Sequence, residues 1–391
     1  MAQPRLAARM SRIQPFYVME LLARAKALEA QGRSVIHMEV GEPDFATPQP
    51  IVEAGHRALA EGRTHYTPAL GIDPLRRAIA SHYRERFGVD LDPARIAVTP
   101  GASGALQLVL SILVNPGEGV LMADPGYPCN RHFVEMLGAE PQAVAVRSET
   151  GYQLTADLVA RHWTPRTRAA LLATPSNPTG TLLAPGELQA VHRWVSAEAG
   201  SLIVDEIYQG LVYGTEPHTA LSCGDDLFVI NSFSKYFGMT GWRLGWCVAP
   251  SEYMDALDRL AQNLFLAAPT LSQYAALAAF EPETIGILEE RRTEFQRRRD
   301  FLLPALRQLG FEVPAPPQGA FYLYAGCGEL SQDAFSFARA LLEQEAVAVT
   351  PGLDFGSNEP NTHIRFAYTT ALPKLEEGVR RIGRFLASRT G

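Results

Sequence analysis

The segment "NSFSKYFGMTGWRLGW" (231–246) sets one lysine, Lys235, among serines, glycines and aromatics, with Arg243 eight residues on. A lysine amine attacks carbon only when neutral, and nearby positive charge lowers its pKa from ~10.4 and enlarges that fraction. Arg243 can hold a phosphate with paired charge-assisted hydrogen bonds, and the hydroxyls of Ser232 and Ser234 can join it. The stretch "TPGASGALQL" offers a second anion-holding element. Its small residues at a strand-to-helix turn leave backbone N–H groups free at a helix N-terminus, where the dipole favours negative charge. The turn is not G-x-G-x-x-G and the chain has no G-x-x-x-x-G-K-[ST], so the anion need not belong to a dinucleotide or nucleoside triphosphate. Asp205 ends the apolar run "SLIVD". A carboxylate buried there needs a cationic partner, and a protonated ring nitrogen would serve. Tyr208 and Asn177 could both reach an oxygen on such a ring, and Tyr127 offers a face for stacking.

These residues need a frame. Short β-rich runs at 95–99, 119–124, 142–146, 169–174, 201–205, 227–232 and 244–249 alternate with helical patterns such as "GALQLVLSILV" and "PGELQAVHRWVSAEAG". Most runs are continuously apolar, as in strands covered on both faces, so the chain reads as α/β with a mostly parallel seven-stranded sheet. After Pro282 a long charged amphipathic helix precedes shorter elements, which divides the chain into a large domain (46–283) and a smaller α/β domain (1–45 and 284–391). "TPGASGAL", "DPGYP", "TPSNPTG", "DEIY" and "SFSK" each follow a strand. Any one of them alone also reads as an ordinary turn. Together they fall on the carboxyl edge, where open α/β sheets bind ligands.

Composition limits the function. The 391 residues are 47% hydrophobic and 20% charged, with net charge −7, which suits a globular chain and disfavours nucleic acid or an anionic membrane as partner. There is no apolar run of the ~18 residues a membrane span needs, nor the apolar core of a secretory signal, so the expected location is cytoplasmic. Cys129, Cys223, Cys247 and Cys327 lack disulfide or zinc spacing and are expected as buried free thiols. His37, His65 and His132 show no metal-ligand spacing, and no metal is expected. Trp242 and Trp246 read as packing residues.

A phosphate, an acid-partnered ring nitrogen, a ring oxygen and an amine-reactive carbon together describe pyridoxal 5′-phosphate. The ordered set "VGEPDF", "RTHYTPALGI", "TPGASGAL", "DPGYP", "SNPTG", "DEIY", "SFSKYFGMTGWRLGW" and "HIRFAYTT" resembles a class I/II aminotransferase of fold type I, similar to bacterial aspartate and aromatic aminotransferases. The resemblance implies that Lys235 would link covalently to the cofactor and then carry the α-proton. Asp205 would keep the pyridine nitrogen protonated, Asn177 and Tyr208 would bond the ring oxygen, and Tyr127 would stack on the ring. Ala102 and Ser103 would join Ser232, Ser234 and Arg243 around the phosphate. Arg365 would clasp the substrate α-carboxylate with help from Gly41 and Asn177. Tyr66 would reach the phosphate of the neighbouring subunit in a homodimer. "HIRFAY" itself alternates like a half-exposed strand.

The implied activity is amino transfer between an L-amino acid and a 2-oxo acid by a ping-pong mechanism. A C–S β-lyase or an aminocyclopropane-carboxylate synthase would use nearly the same cofactor residues. A non-catalytic ligand sensor would require a DNA-binding region ahead of "GEPDF". No Lys or Arg occurs from Ala261 to Thr270, Ser103 stands where a lysine could meet a distal carboxylate, and the lid candidate "SRIQPFYVM" presents Ile13, Phe16 and Tyr17. Neutral, aliphatic, thioether or aromatic donors are therefore expected over aspartate, with 2-oxoglutarate accepted through a movable Arg12 or through water.

Overall fold

The computed structural model describes residues 5–389. A two-residue strand, β1 (Ile36–His37), precedes the seven that form the main sheet. These are β2 (Ile96–Thr99), β3 (Gly119–Asp124), β4 (Glu140–Ala145), β5 (Thr167–Ala173), β6 (Ser201–Asp205), β7 (Phe228–Ser232) and β8 (Gly245–Val248). All seven lie on runs the sequence marks as strands, with ends shifted by a residue or two. Their order is β2-β8-β7-β6-β5-β3-β4, and only β8 runs antiparallel to its neighbours. The central strands are buried along nearly their whole length because helices cover both faces.

The helix Pro282–Gln308 is 27 residues long and buries Leu288, Phe295, Arg298, Leu302 and Leu306, a stripe at three-, four- and seven-residue spacing. Beyond it lie β9 (Tyr322–Gly326), β10 (Val347–Ala348), β11 (Thr350–Pro351) and β12 (His363–Ala367), of which β11, β12 and β9 form an antiparallel sheet. β1 pairs in parallel with β10, so the N-terminal segment is stitched to the C-terminal elements.

Two expectations are corrected here. Cys247 and Cys327 are buried, but Cys129 and Cys223 are only partly so, because each sits near a loop edge and not within a central strand. β12 is not a half-exposed strand: Ile364 to Ala367 are all buried, since further chain covers its outer face too.

Candidate active site

A cavity of about 300 Å³ opens at the carboxyl edge of the main sheet, where β12 and the segment Phe16–Met19 close over it. It is lined by Gly41, Ala102, Ser103, Tyr127, Asn177, Asp205, Tyr208, Ser232, Ser234, Lys235, Arg243 and Arg365. Every residue the sequence nominated for catalysis or for cofactor or α-carboxylate binding is thus gathered there except Tyr66, which is 84% exposed and does not line this chain's own cavity.

Lys235 follows β7, and its Nζ donates to the Gly41 carbonyl oxygen at 2.7 Å. Its pKa is lowered from 10.5 to about 8, chiefly by burial, with Glu42 and Asp205 opposing the shift and Arg365 and Arg243 adding to it. The sequence argument named neighbouring charge, but desolvation is the larger cause. Asp205, at the end of β6, is 5% exposed and accepts from the Ile207 amide at 3.1 Å. Burial raises its carboxyl to about 6, and it forms no ion pair with a described residue. Glu206, next in the chain, instead faces the protein, accepting from Thr219 Oγ1 and the Ala220 amide.

At one end of the cavity the helix Gly101–Leu113 starts without a side-chain cap, leaving its first amides unclaimed. Gly101 has φ +72°, and a Cβ there would come within 2.6 Å of Arg243 Nη2. A Cβ on Gly245 would approach the Gly101 carbonyl carbon at 2.7 Å. Backbone and guanidinium converge because glycine leaves the room. Ser232 Oγ lies 3.0 Å from Ser234 Oγ and accepts from the Ser234 amide at 3.0 Å.

At the other end Arg365, 5% exposed, donates to Asn177 Oδ1 at 2.9 Å and to the Glu39 carbonyl oxygen at 2.6 Å. Its guanidinium lies 4.3 Å from the Tyr322 ring centroid and 4.8 Å from that of Phe355. Its buried Nε has no partner among the described residues. Tyr208 Oη is 2.9 Å from Tyr322 Oη. Asp354, also on the cavity wall, accepts from the amides of Tyr17 and Val18 at 2.7 and 2.9 Å, capping the first turn of the helix Tyr17–Ala30 from outside.

A family model described as "Aminotransferase class I and II" matches residues 33–382. The chain belongs to the class I and II aminotransferases. It is 39% identical to a (5-formylfuran-3-yl)methyl phosphate transaminase of Methanocaldococcus jannaschii, over 97% of this chain and 99% of that protein. It is 37% identical to a valine–pyruvate aminotransferase of Mycobacterium tuberculosis, over 96% of this chain and 97% of the other. The crystal structure of an aminotransferase from M. tuberculosis superposes with a TM-score of 0.95 at 37% identity, covering 99% and 100% of the two chains. Aminotransferases of these classes are pyridoxal 5′-phosphate-dependent transaminases with the fold type I architecture, and this chain is such an enzyme.

The cavity fits that cofactor. The uncapped helix start beside Arg243, Ser232 and Ser234 suits a dianionic phosphate. The unpaired buried Asp205 carboxylate suits a protonated ring nitrogen, and Lys235 lines the same cavity, within electrostatic reach of Asp205, Arg243 and Arg365.

Several lining residues escaped sequence reasoning. Of the lid candidate, Phe16 lines the cavity together with Val18 and Met19, whereas Ile13 and Tyr17 do not. Tyr17 turns away and packs edge-on against Phe335, with ring centroids 5.3 Å apart. Arg12 is exposed and does not line the cavity. Tyr322, Asp354 and Phe355 were not anticipated. The aromatic run "AFYLY" leading into β9 was the available signal for the first. Trp246 is core, and Trp242 donates to Thr47 Oγ1, as expected of packing residues.

Proposed function

We propose that this aminotransferase takes a neutral L-amino acid with an aliphatic, thioether or aromatic side chain as donor and a 2-oxo acid such as 2-oxoglutarate as acceptor, in two half-reactions. The carrying observation is the cavity's charge inventory. Its cationic lining among the described residues is Lys235, Arg243 and Arg365, each with a role in cofactor or α-carboxylate binding, while Phe16, Val18, Met19, Leu106 and Ile207 supply apolar wall. A distal carboxylate against that wall would lose hydration without a partner, a penalty of several kcal/mol, whereas apolar side chains gain ~25 cal/mol per Å² buried. The valine–pyruvate relative supports a neutral donor.

Bound pyridoxal phosphate supplies an electrophilic carbon and an electron-accepting ring. Lys235, its amine's pKa lowered by burial, would be the residue that holds the cofactor and moves a proton at its Nζ. Asp205 would hold positive charge on the ring. Asn177, whose Oδ1 is occupied by Arg365, would offer its amide protons to the ring oxygen, to which Tyr208 would also donate. Tyr127 would stack on the ring. Ala102, Ser103, Ser232, Ser234 and Arg243 would hold the phosphate, and Arg365, with an unused Nε, would clamp the substrate carboxylate beside Gly41. Acceptance of 2-oxoglutarate would draw on Arg12, swung in from the surface, or on water.

The same reading includes a homodimer. Tyr66 is 84% exposed, Leu264 and Leu266 are 51% and 54% exposed, and the Tyr66 loop is tied to their segment where Thr270 Oγ1 donates to the His65 carbonyl oxygen. An exposed apolar patch of this kind suits a second copy, with Tyr66 reaching the other copy's phosphate site. It also includes the division into 46–283 against 1–45 with 284–391, favoured by the β1–β10 pairing, and a cytoplasmic working place.

The test is kcat/KM for valine, methionine, leucine and phenylalanine against aspartate, each with 2-oxoglutarate and with pyruvate. Neutral donors should lead by tenfold or more. An aspartate preference of that size would show that a further cation, from a partner copy or from Arg12, completes the pocket.

A further inference from the structure

Tyr322 is a lining residue that the sequence left unmarked, and it meets both Arg365 and Tyr208. It is 1% exposed on β9, its ring lies under the Arg365 guanidinium, and its hydroxyl meets that of Tyr208 at 2.9 Å. The seat for that hydroxyl is made by Gly41, where a Cβ would overlap it. The same Gly41 receives the Lys235 amine on its carbonyl oxygen.

A tyrosine hydroxyl carries one proton. Between Tyr208 and Tyr322 one of the two protons lies on the shared bond, and the direction of that bond decides where the other points. Both tyrosines line the cavity, and among the described residues neither Oη has another hydrogen-bond partner, so if Tyr208 spends its one proton on the cofactor's ring oxygen the shared bond can only be donated by Tyr322. Burial raises both hydroxyls, and the Arg365 charge opposes that rise in each.

We propose that Tyr322 is a positioning residue: its hydroxyl donates to Tyr208 and so turns the Tyr208 proton into the cavity, towards the ring oxygen of the bound cofactor. This rests on the reading of Tyr208 as a donor to that oxygen. The arrangement also joins the two binding tasks, because the ring that supports the carboxylate clamp carries the hydroxyl that orients the cofactor's donor.

The experiment uses cofactor-loaded Y322F, Y208F and the double variant, titrating the visible absorbance of the bound cofactor against pH. A donor to the ring oxygen stabilises its negative charge and lowers proton affinity, so losing the donor raises the midpoint. Y208F should raise it most. Y322F should raise it by roughly 0.5–1 unit, the worth of one net hydrogen bond, and the double variant should match Y208F. The amino-acid KM should stay within about twofold in Y322F, which keeps the ring under Arg365, and rise in Y322L, which removes it. If Y208F shifts the midpoint and Y322F does not, or if the two shifts add, Tyr322 does not act through Tyr208 and the inference fails alone. If neither variant shifts it, the reading of Tyr208 itself is wrong.

Discussion

At the Arg243 end of the cavity, the lining residues come from strand ends of one sheet: Ala102 and Ser103 after β2, Ser232 and Ser234 at β7, Arg243 just before β8. At the Arg365 end, a strand of a different sheet brings the arginine. Its neighbours are Asn177 from the main sheet's edge, the Glu39 carbonyl, Tyr322 and Phe355. The first end is held by glycine-permitted backbone contacts within one rigid element. The second is an agreement among segments far apart in sequence. On the proposed reading, the cofactor's anchor is built within one sheet, and the substrate's anchor depends on tertiary packing between that sheet and the later strands.

Lys235 belongs to both ends, so removing it should have the largest effect. Lys235→Ala should lower turnover by roughly 10⁴-fold or more and abolish the covalent adduct that borohydride otherwise fixes there. An adduct mapped to another lysine would reject the assignment. The two arginines then separate the ends. Arg365→Ala should reduce kcat/KM for every amino and oxo acid by about 2–5 kcal/mol while cofactor affinity holds. Arg243→Leu should do the reverse, weakening cofactor binding by about 1.5–3 kcal/mol with little change in the substrate KM of the loaded enzyme. Equal effects of both variants on both constants would erase the distinction.

The pH dependence sharpens it. The folded Lys235 amine sits at about 8 in place of 10.5, chiefly because it is buried. Below that pH most of it is protonated and unreactive. Capture of added pyridoxal phosphate by the cofactor-free protein, followed by its absorbance change, should accelerate about tenfold per pH unit up to about 8 and level off above. A rate still climbing towards pH 10 would mean an ordinary solvated lysine. The smallest effect is expected from Asp354→Ala, which removes the external cap of the helix Tyr17–Ala30 at about 1 kcal/mol. Discrimination between large and small donors should narrow, and cofactor capture should not change.

The same contrast explains what was legible in the sequence. Strand-end motifs such as "TPGASGAL" and "SFSK" are short because each hangs on a single strand, and their alternation with helices reveals the sheet that collects them. Tyr322, Asp354 and Phe355 gave no such signal. Each is an unremarkable residue locally and acquires meaning only from β9, β12 and the loop between β11 and β12 meeting the main sheet's edge. Arg365 was found by motif and not by pattern, because alternation in "HIRFAY" says nothing about chain returning to cover the outer face. The pKa of Lys235 was anticipated in direction, with the wrong leading cause, since depth is a property of the packed fold.

Asp354 grips the first turn of the helix Tyr17–Ala30 through the main-chain amides of Tyr17 and Val18, so the anchor is indifferent to which side chains that turn carries. Phe16, Val18 and Met19 can then be exchanged, by drift or by an engineer, while the turn remains moored and the reacting groups beneath stay where they are. On the proposed reading, this turn works as a faceplate whose side chains tune the diet while the engine behind it keeps its place.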